Sequence, residues 1–577
     1  EMGETLIMDS NELEREKGIT ILAKNTAVFY ENIKVNIIDT PGHADFGGEV
    51  ERVLNMASGA LLLVDAAAGP LPQTKFVLKK ALAAKMKLIV LINKIDRKDA
   101  RPAEVLSEIE SLFLDMAAHE DELHFITLYG VGRDGKVFRD LPSVYAPELP
   151  GNLNPLFETI VSQVPNSALG TEKPFQMQVS TLDYDNYVGK LCIGKVSGGK
   201  LTKNANIVLV EDNRIIGSYK AQKLFTSVGL TRQEVETVVS GDIVALAGIP
   251  QLTIGQTVTD PGYPVSLPKI EVEDPTIKVT IGPNTSPLSG KEGKFVTSSH
   301  IKDRLVKEKE TNVGLRIEPD PEGSNFVVAG RGELHLAVLI ETMRREGFEL
   351  EVSKPQVIFK TVDGVVCEPF EEVTIDVSTD YVGIITEELA KRQGELTDMR
   401  GELNNTTRFV YKISSANLLG IRNSLLTKTR GTAILNTYFL GYFPKTTKKQ
   451  VPRNGALIAL RPGASLAYGL ENAQERGMLF IGPGVDVYEG MVVGVANRAF
   501  DIEVNVCKGK KLTNVRSENA DIAVSLTPPT VLTLEQALDF IAEDELLEVT
   551  PKNLRLRKKI LPSTLRKVSE RAAFDSR

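Results

Sequence analysis

Polar and apolar residues alternate near the start of the chain. Residues 34–38 alternate polar side chains with β-branched apolar ones, which is typical of a half-buried strand. The strand ends at Asp39, and residues 40–42, Thr-Pro-Gly, predict a sharp turn. Apolar side chains in residues 50–57 then recur at the i, i+3, i+4, i+7 spacing of one helix face. The pattern predicts a strand that ends in a carboxylate, a glycine turn and a helix.

Two continuous apolar runs predict buried strands further along the chain. Residues 60–65 end at Asp65, and residues 88–96 end in Asn-Lys-Ile-Asp. Strands and helices alternate from residue 64 to residue 165, which is the order of a doubly wound α/β domain. This alternation predicts helices over residues 73–84, 103–116 and 156–164. It also predicts a last strand with its loop over residues 125–132.

The turn after Asp39 has the chemistry of a phosphate site. A carboxylate at the end of a strand can hold Mg²⁺, directly or through water. Gly42 has no Cβ, so its backbone N–H can approach a terminal phosphate closely. Because an Asp-x-x-Gly sequence is common by chance, its interpretation depends on a second motif.

The second motif, Asn93 to Asp96, fits a guanine base. Asp96 can accept hydrogen bonds from both N1–H and the exocyclic amine of guanine, a donor pair that adenine lacks. Asn93 can reach the other edge of the ring, and the stem of Lys94 can lie along the ring face. A site with such an acceptor rejects a base without the donors strongly. We therefore predict that Asn93, Lys94, Ile95 and Asp96 bind the nucleotide.

Together the two motifs resemble those of translational GTPases. Residues 39–43, Asp-Thr-Pro-Gly-His, and 93–96, Asn-Lys-Ile-Asp, occur in the same order in that class. Residues 18–26 and 43–53 are similar to the BipA family, also called TypA, of ribosome-associated GTPases. The resemblance continues to about residue 560 and so covers nearly the whole chain.

The resemblance implies roles for single residues. Thr20 lies in the first switch and would bind Mg²⁺ through its hydroxyl, together with Asp39. Gly42 would fix the γ-phosphate. His43 would orient the attacking water once the ribosome pushes its side chain inward. The implied reaction is hydrolysis of GTP to GDP and phosphate, with Mg²⁺ as cofactor.

The sequence departs from the family pattern in two places. The family usually has Ser-Ala or Ser-Gly where this chain has Val131-Gly132, so only a backbone N–H of Gly132 could support the guanine. No Gly-Lys pair in the 577 residues is followed by Ser or Thr, so the P-loop motif is absent. We expect the sequence to be a fragment, or its N-terminal part to be unobserved. Should the P-loop be truly absent, nucleotide binding is expected to be badly weakened.

The remaining chain predicts several further domains. Short alternating strands with turn residues between them predict an antiparallel β-barrel. Two later segments alternate strands and helices in a similar order, which favours two ferredoxin-like α+β domains. By resemblance a mainly-β domain of BipA type follows. The predicted boundaries are 1–165 for the N-terminally incomplete GTPase domain, 166–270 for the barrel, 271–360 and 361–445 for the α+β domains, 446–560 for the C-terminal domain and 561–577 for a basic mobile tail.

The charge composition limits how the protein could bind a nucleic-acid partner. The net charge of −8 argues against a surface that is positive all over, so nucleic acid would meet local basic loops. By resemblance two such loops should face ribosomal RNA and the tRNA in the acceptor site. Their candidate residues are Lys448, Lys449, Arg453, Lys508, Lys510, Lys511 and Arg516.

Cysteine and hydropathy patterns bear on the compartment. The 3 cysteines are far apart in sequence, which predicts neither a disulfide framework nor a metal site. No apolar run is long enough to span a bilayer, and no signal peptide opens the chain. We expect a monomer without a membrane partner, in the cytoplasm of a bacterium or in the stroma of an organelle.

Three functions remain open at this point. A ribosome-binding GTPase of BipA type, acting in translation regulation or large-subunit assembly, fits the motifs best. A nucleotide-free module for ribosome binding or assembly would fit a chain without a P-loop. A different translational GTPase, such as an elongation factor, fits the motifs but not the C-terminal domain.

Overall fold

The computed structural model describes residues 12–117, 119, 123–166, 170, 172–185, 187–270, 272–312, 314–321, 323–402, 405–445, 453–509 and 525–575. The predicted loop residues Lys448, Lys449, Lys510, Lys511 and Arg516 lie outside the described residues. Within the described part, no helix is both long and apolar enough to cross a membrane.

The first domain has strands in two separate sheets. Its elements are α1 (Glu12–Lys17), β1 (Lys24–Tyr30), β2 (Ile33–Asp39), α2 (Gly47–Leu54), β3 (Gly59–Asp65), α3 (Pro72–Ala83), β4 (Lys87–Asn93), α4 (Pro102–Met116), β5 (Ile126–Val131), β6 (Lys136–Phe138) and α5 (Asn154–Gln163). β1 and β2 form an antiparallel hairpin, whereas the other sheet has the order β3-β4-β5-β6. β3, β4 and β5 are parallel, and β6 pairs antiparallel with β5. The predicted α/β alternation is confirmed.

The outer edge of β3 is open in the described part of the chain. β3 pairs only with β4 there, and β2 belongs to the other sheet. Leu61 and Leu63 on β3 are 37% and 58% exposed, which is unusual for leucines of a parallel sheet. The other face of the sheet is covered, since Ile92 on β4, Leu78 on α3 and Ile109 on α4 are buried in one core.

The second domain is an antiparallel β structure around one core. Its strands are β7 (Gln176–Gln178), β8 (Thr181–Asp185), β9 (Gly189–Gly198), β10 (Lys200–Thr202), β11 (Asn206–Glu211), β12 (Arg214–Lys220), β13 (Lys223–Val228), β14 (Thr231–Val235), β15 (Thr237–Val239), β16 (Ile243–Ala247) and β17 (Thr257–Thr259). The main sheet has the order β12-β11-β17-β7-β9-β16-β13-β14. Met177, Leu209 and Leu246 are fully buried inside it, which confirms the predicted barrel.

The third domain has the ferredoxin-like strand order. Its elements are β18 (Ile277–Pro283), α6 (Ser298–Thr311), β19 (Arg316–Pro319), β20 (Phe326–Gly330), α7 (Glu333–Arg345), β21 (Leu350–Ser353) and β22 (Gln356–Val357). The sheet order β19-β20-β18-β21 places the first and third strands at the centre, with all neighbours antiparallel. Helices α6 and α7 bury Ile301, Leu305 and Ile340 against this sheet.

The fourth domain repeats that order. Its elements are β23 (Lys360–Val362), β24 (Val365–Ser378), α8 (Val382–Lys391), β25 (Glu395–Glu402), β26 (Thr406–Ser414), α9 (Ser415–Leu418), α10 (Ile421–Lys428) and β27 (Ile434–Pro444). Strands β25, β26, β24 and β27 lie side by side in this order. The prediction of two ferredoxin-like units is therefore confirmed.

The C-terminal domain is mainly β. Its elements are β28 (Ala456–Ala459), β29 (Gly463–Ala464), α11 (Ala467–Gln474), β30 (Gly477–Leu479), β31 (Asp486–Val487), β32 (Met491–Ala496), β33 (Ile502–Val504), α12 (Leu534–Phe540), β34 (Glu545–Val549), β35 (Leu554–Lys558) and α13 (Ser563–Asp575). β34 pairs with β21 of the third domain, so one sheet and one core run through both domains. The predicted boundary at residue 446 divides the fourth domain from the C-terminal domain in sequence, whereas the sheet of the C-terminal domain continues into that of the third domain.

The end of the chain differs from the predicted mobile tail. Residues Ser563–Asp575 form α13. The N–H of Ser563 donates to the Glu489 carboxylate at 2.7 Å, and Arg566 donates to Glu503 at 2.6 Å. Two charged residues of the predicted tail, Arg566 and Lys567, thus pair with Glu503 of the C-terminal domain.

Candidate nucleotide site and the helix that follows it

The predicted guanine-binding residues lie at the carboxyl edge of the parallel sheet. Asn93 ends β4, and its Oδ1 accepts hydrogen bonds from the N–H groups of Lys94 at 2.9 Å and Gly132 at 2.8 Å. The second bond joins the loop after β4 to the loop after β5. The N–H of Gly132, expected to support the base, is thus already bonded to Asn93.

Lys94 joins the same edge to β3. Its backbone has a φ of 62°, a left-handed conformation that turns the chain directly after the strand. Its Nζ lies 2.9 Å from Asp65 Oδ2 at the end of β3. The Asp65 carboxylate also accepts the N–H of Ala67 at 2.8 Å. Burial raises the pKa of Asp65, but these bonds outweigh it, so that the pKa lies below its ordinary value.

Asp96 provides a hydrogen-bond acceptor at the carboxyl edge of the sheet. Its carboxylate is 3.3 Å from the guanidinium of Arg133, an exposed side chain that solvent can reach. Ile95 and Val131 point the other way, into the hydrophobic core, and are only 9% and 2% exposed. These two predicted site residues can therefore face a nucleotide only through their backbone atoms.

The second predicted group surrounds the β1–β2 hairpin. Thr20 lies in the segment between α1 and β1, and Glu14 fixes this segment from α1. The buried Glu14 carboxylate accepts the N–H groups of Ile21 at 3.0 Å and Leu22 at 3.1 Å and pairs with Lys24. Lys24 in turn lies opposite Asp39 in the hairpin register. Thr20 and Asp39 thus belong to one structural unit.

Gly42 is an exposed residue in the turn after β2. A Cβ placed there would have no atom within 4 Å, and its φ is not in the left-handed region. The fold of the described residues therefore does not itself require glycine at this position.

His43 opens a short helical turn, Ala44–Phe46, before α2. Its Nδ1 lies 3.2 Å from the N–H of Asp45, and its Nε2 lies 3.5 Å from Arg422 Nη2 on α10. Burial lowers the pKa of His43, the Asp45 carboxylate opposes this change, and Arg422 adds to it. The imidazole is therefore neutral at neutral pH.

The helix that follows, α2, is bound to the third domain by charged groups. The Glu51 side chain is 3% exposed and lies 2.6 Å from both Arg331 and Lys80. Asp45 accepts the N–H of Leu334, the second residue of α7, at 2.8 Å. A Cβ at Gly332 would overlap the Asp45 carboxylate, so glycine there permits this contact.

On its other side α2 borders a cavity of about 870 Å³. Among its lining residues are Val53 of α2, Met56 just after this helix, Ile193 of the barrel and Arg304 of α6. His335 of α7 also lines it and contacts Asn312 at 3.0 Å through Nε2. Burial lowers the pKa of His335 to about 4. This open volume leaves α2 room to shift between the domains.

Several carboxyl groups meet where four domains join near Asp45. Burial raises the pKa of Glu333 at the start of α7, and its Oε1 accepts the N–H of Gly420 at 3.3 Å. Burial also raises the pKa of Asp539 on α12 to about 6, although a bond from Asn423 opposes this. Burial raises the pKa of Glu371 on β24 to about 7, against a hydrogen bond from Ser415 at 2.8 Å.

The raised pKa of Glu371 at this junction predicts that Glu371→Gln increases the stability of the protein in a pH-dependent way. Because the folded pKa of Glu371, about 7, exceeds its ordinary value of 4.5, its contribution to stability is present below pH 4.5 and lost as the pH rises through 7. Glutamine mimics the protonated acid. We expect the variant to be about 2 kcal/mol more stable than the parent at pH 8 and equal to it at pH 4.5 in urea unfolding. Glu372→Gln, next to it but paired with Lys75, is the control. A gain that is the same at both pH values would contradict the assignment.

Two of the predicted RNA-binding residues lie in the described chain. Arg453 pairs with Glu545, and its guanidinium lies 4.1 Å from the ring centre of Phe540, so its charge is used within the C-terminal domain. Lys508 is exposed, with its ammonium 5.9 Å from the ring of Tyr468. Of these two, the structure leaves Lys508 facing solvent.

Comparisons with protein families match the chain segment by segment. Residues 1–166 match the elongation factor Tu GTP binding domain, and residues 174–261 match elongation factor G domain 2. Residues 365–451 match the elongation factor G C-terminus, and residues 454–563 match the TypA/BipA C-terminal domain.

Curated relatives extend this match over nearly the whole chain. The large ribosomal subunit assembly factor BipA of Synechocystis is 46% identical over 552 residues, covering 96% of this chain and 92% of that protein. The proteins of the same name from Bacillus subtilis and Escherichia coli K12 are 44% and 45% identical, covering 96% and 99% of this chain and 90% and 93% of theirs. The chain belongs to the TypA/BipA family.

Some residues of this BipA-family site were not found by sequence reasoning. Glu14 and Arg422 carry no motif, and Glu51 lies within the similar residues 43–53 but received no role; each acts through a partner distant in sequence or in another element. Only a buried position for Glu14 and Glu51 could have singled them out, and charged side chains are seldom predicted to be buried. Among the described residues there is no cluster of three His, Cys, Asp or Glu that could hold a metal by itself.

Proposed function

We propose that this chain is a ribosome-binding GTPase that hydrolyses GTP to GDP and phosphate, and that it acts in translation regulation or in assembly of the large ribosomal subunit. The observation that carries the proposal is the Asn93–Gly132 bond, which joins two loops at the sheet edge beside the Asp96 carboxylate. The match to a GTP binding domain and the names of the relatives support it.

The geometry supports guanine selection by Asp96 and Asn93. Since Asn93 Oδ1 is bonded inside the protein, its Nδ2 is the atom that would meet the base. The Asp96 carboxylate would accept from N1–H and the exocyclic amine, in exchange for its contact with the exposed Arg133. The adenine edge offers no matching donor pair.

The hairpin supports a phosphate site at Gly42. Gly42 has open space around its Cα and no left-handed φ, so neither crowding nor backbone conformation explains the glycine. Close approach of a ligand to its backbone is then the reason for glycine at this position. Thr20 and Asp39 offer oxygen ligands, which suit Mg²⁺, and a site with a single carboxylate fits an ion that takes further oxygens from phosphates and water. Bound there, Mg²⁺ would supply positive charge to the phosphate oxygens.

Hydrolysis requires a water held in line with the γ-phosphate. His43 follows Gly42 directly, and its neutral imidazole can accept a hydrogen bond from that water. The protein supplies position and charge, because phosphoryl transfer to water needs no covalent partner on the enzyme. Loss of phosphate would release the segments of Thr20 and Gly42 and let α2 move against the third domain.

His43→Ala tests this assignment. We expect ribosome-stimulated GTP turnover to fall about 100-fold, the usual contribution of a positioned proton-accepting group. GTP binding should change by less than a factor of two, since His43 contacts the water and not the nucleotide. His124→Ala, at an exposed histidine, is the matched control. Turnover of His43→Ala equal to that of the parent would remove His43 from the mechanism.

A nucleotide-free module for ribosome binding or assembly is the second candidate. It applies if the protein has no Gly-Lys-Ser/Thr sequence, and none lies within residues 1–577. Equilibrium binding of GTP to this chain separates the two functions: tight, Mg²⁺-dependent binding excludes the module.

The proposal also includes specific binding partners of the C-terminal domain. We infer contacts of the C-terminal domain with ribosomal RNA and acceptor-site tRNA through Lys508 and the loop residues Lys448, Lys449, Lys510, Lys511 and Arg516. We also propose that the protein acts as a monomer in the bacterial cytoplasm, and the bacterial origin of the relatives supports the compartment.

A further inference from the structure

Asp65 ends β3, and its two carboxylate oxygens bond to different parts of the chain. Oδ1 accepts the N–H groups of Ala67 at 2.8 Å and Ala68 at 3.3 Å, which fixes the turn after the strand. Oδ2 accepts from Lys94 Nζ at 2.9 Å and from Arg97 Nη1 at 3.4 Å. The Oδ1 bonds are those of an ordinary turn, whereas the Oδ2 bonds reach residues 29 and 32 positions further along the chain.

Lys94 belongs to the predicted guanine motif, and its side chain runs along the carboxyl edge of the sheet. Asp65 is the partner of Asn93 in the parallel register of β3 and β4. Because neighbouring strands lie about 4.8 Å apart, a lysine that leaves the end of β4 and bonds to Asp65 spans the gap between the two strand ends. The Lys94 side chain is 56% exposed in this position, so its methylene groups are open to a ligand.

The other polar side chains of the motif turn toward the opposite neighbour of β4. Asn93 bonds to Gly132 in the loop after β5, and Asp96 lies 3.3 Å from Arg133 in the same loop. A base that lies across this edge can therefore meet the Asp96 carboxylate with its donors and the Lys94 stem with its ring face. The contact with the ring face requires the stem to be held in one place.

A bond to Asp65 holds the stem in that way. A lysine side chain has many rotamers, and ordering it during binding costs affinity. The bond fixes the end of the Lys94 side chain from within the protein, so this cost does not fall on the nucleotide. Burial raises the pKa of Asp65, but hydrogen bonds from Ala67 and Lys94 outweigh it, so the carboxylate is ionised at neutral pH.

We propose that Asp65 is a positioning residue of the guanine site, which holds the stem of Lys94 where the ring face of the base lies and so raises the affinity for guanine nucleotides without touching them. The proposal rests on the proposed function and deepens it, because it extends recognition of the base from β4 and β5 to β3. The competing role, in which Asp65 only fixes the turn after β3, involves Oδ1 alone.

Asp65→Asn separates the two roles. Its amide oxygen can still accept from Ala67 and Ala68, whereas the NH₂ group that replaces Oδ2 cannot accept from Lys94. We expect equilibrium binding of GTP and of GDP to weaken by about three- to tenfold, the cost of ordering one long side chain. The factor should be the same for both nucleotides, because they share the base. Asp99→Asn, which removes a carboxylate that pairs with a different cation of the same loop, should match the parent.

A double-mutant cycle shows whether the effect passes through Lys94. Lys94→Met keeps an unbranched apolar stem and removes the ammonium group that Asp65 binds. We expect Lys94→Met to weaken GTP binding by a similar factor. Adding Asp65→Asn to Lys94→Met should change the affinity by less than about twofold. Lys94 is exposed, so Lys94→Met leaves the core intact and carries the test by itself should Asp65→Asn fail to fold.

Each outcome decides the proposal. It is overturned if Asp65→Asn or Lys94→Met binds GTP as tightly as a parent that binds GTP. It is also overturned if the loss from Asp65→Asn persists in the Lys94→Met background, because Asp65 would then act through the turn alone. A parent that binds neither GTP nor GDP instead overturns the proposed function, and the positioning role with it.

Discussion

Asp96→Asn is expected to weaken GTP binding about a thousandfold, the loss that follows when buried donors of a ligand find no acceptor. The carboxylate accepts two N–H groups of guanine, and an amide replaces one acceptor oxygen with a donor. The same amide can donate to the second carbonyl oxygen of xanthine. The variant should therefore bind xanthosine triphosphate better than GTP, and equilibrium competition between the two nucleotides measures this.

The reversal of preference makes the experiment informative. A misfolded loop would lose both nucleotides, whereas a change confined to the base contact exchanges one for the other. Asp99→Asn is the control, because Asp99 lies three residues further on and pairs with the exposed Arg97 at 2.6 Å. Equal binding of GTP by the parent and Asp96→Asn would show that Asp96 does not contact the base.

Glu51→Ala is expected to cost about 3 kcal/mol of stability, the lower end of the range for breaking a buried ion pair. The Glu51 carboxylate meets Arg331, Lys80 and the N–H of Glu273. The Arg331 side chain is 8% exposed, so it cannot regain water when its partner is removed. Glu273 remains 3.5 Å from Arg331 and 2.9 Å from Lys80, which limits the loss. Urea unfolding of the parent and the variant measures the difference.

Glu158→Ala is the matched control for this substitution. Glu158 pairs with Arg139 at 2.6 Å, but both side chains are at least half exposed, at 50% and 61%. Such a surface pair contributes about 0.5 kcal/mol or less. If Glu51→Ala and Glu158→Ala destabilise the protein equally, the charged cluster does not bind α2 to the third domain.

The local pattern of the sequence was enough for most elements that build the site. β4 was visible because its apolar run ends abruptly in polar residues, and Asn93 to Asp96 fell at that end. The two ferredoxin-like units were recognisable because each alternates strands and helices with clear periodicity. Edge strands such as β6 and β25 were missed, since short or polar strands depend on pairing and not on their own pattern.

Contacts between segments that are distant in sequence could not be predicted from local patterns. Strand β21 pairs with β34, almost 200 residues further along the chain, and the sequence of neither strand identifies its partner. Charge alone did not reveal the partners of Arg453 either, because Glu545 and Phe540, which contact it, lie far along the chain. Arg422 lacked any motif, so its contact with His43 emerged only when α10 was placed against the turn after β2.

The central claim is that the edge at Asp96 and the turn at Gly42 serve one pocket for a guanine nucleotide. Equilibrium competition of GTP, GDP and ATP for this chain, with and without Mg²⁺, tests it most directly. We predict that GTP and GDP compete, that ATP is at least about 100-fold weaker, and that Mg²⁺ strengthens GTP binding more than GDP binding. Equal binding of ATP and GTP, or no binding of either, would contradict the claim.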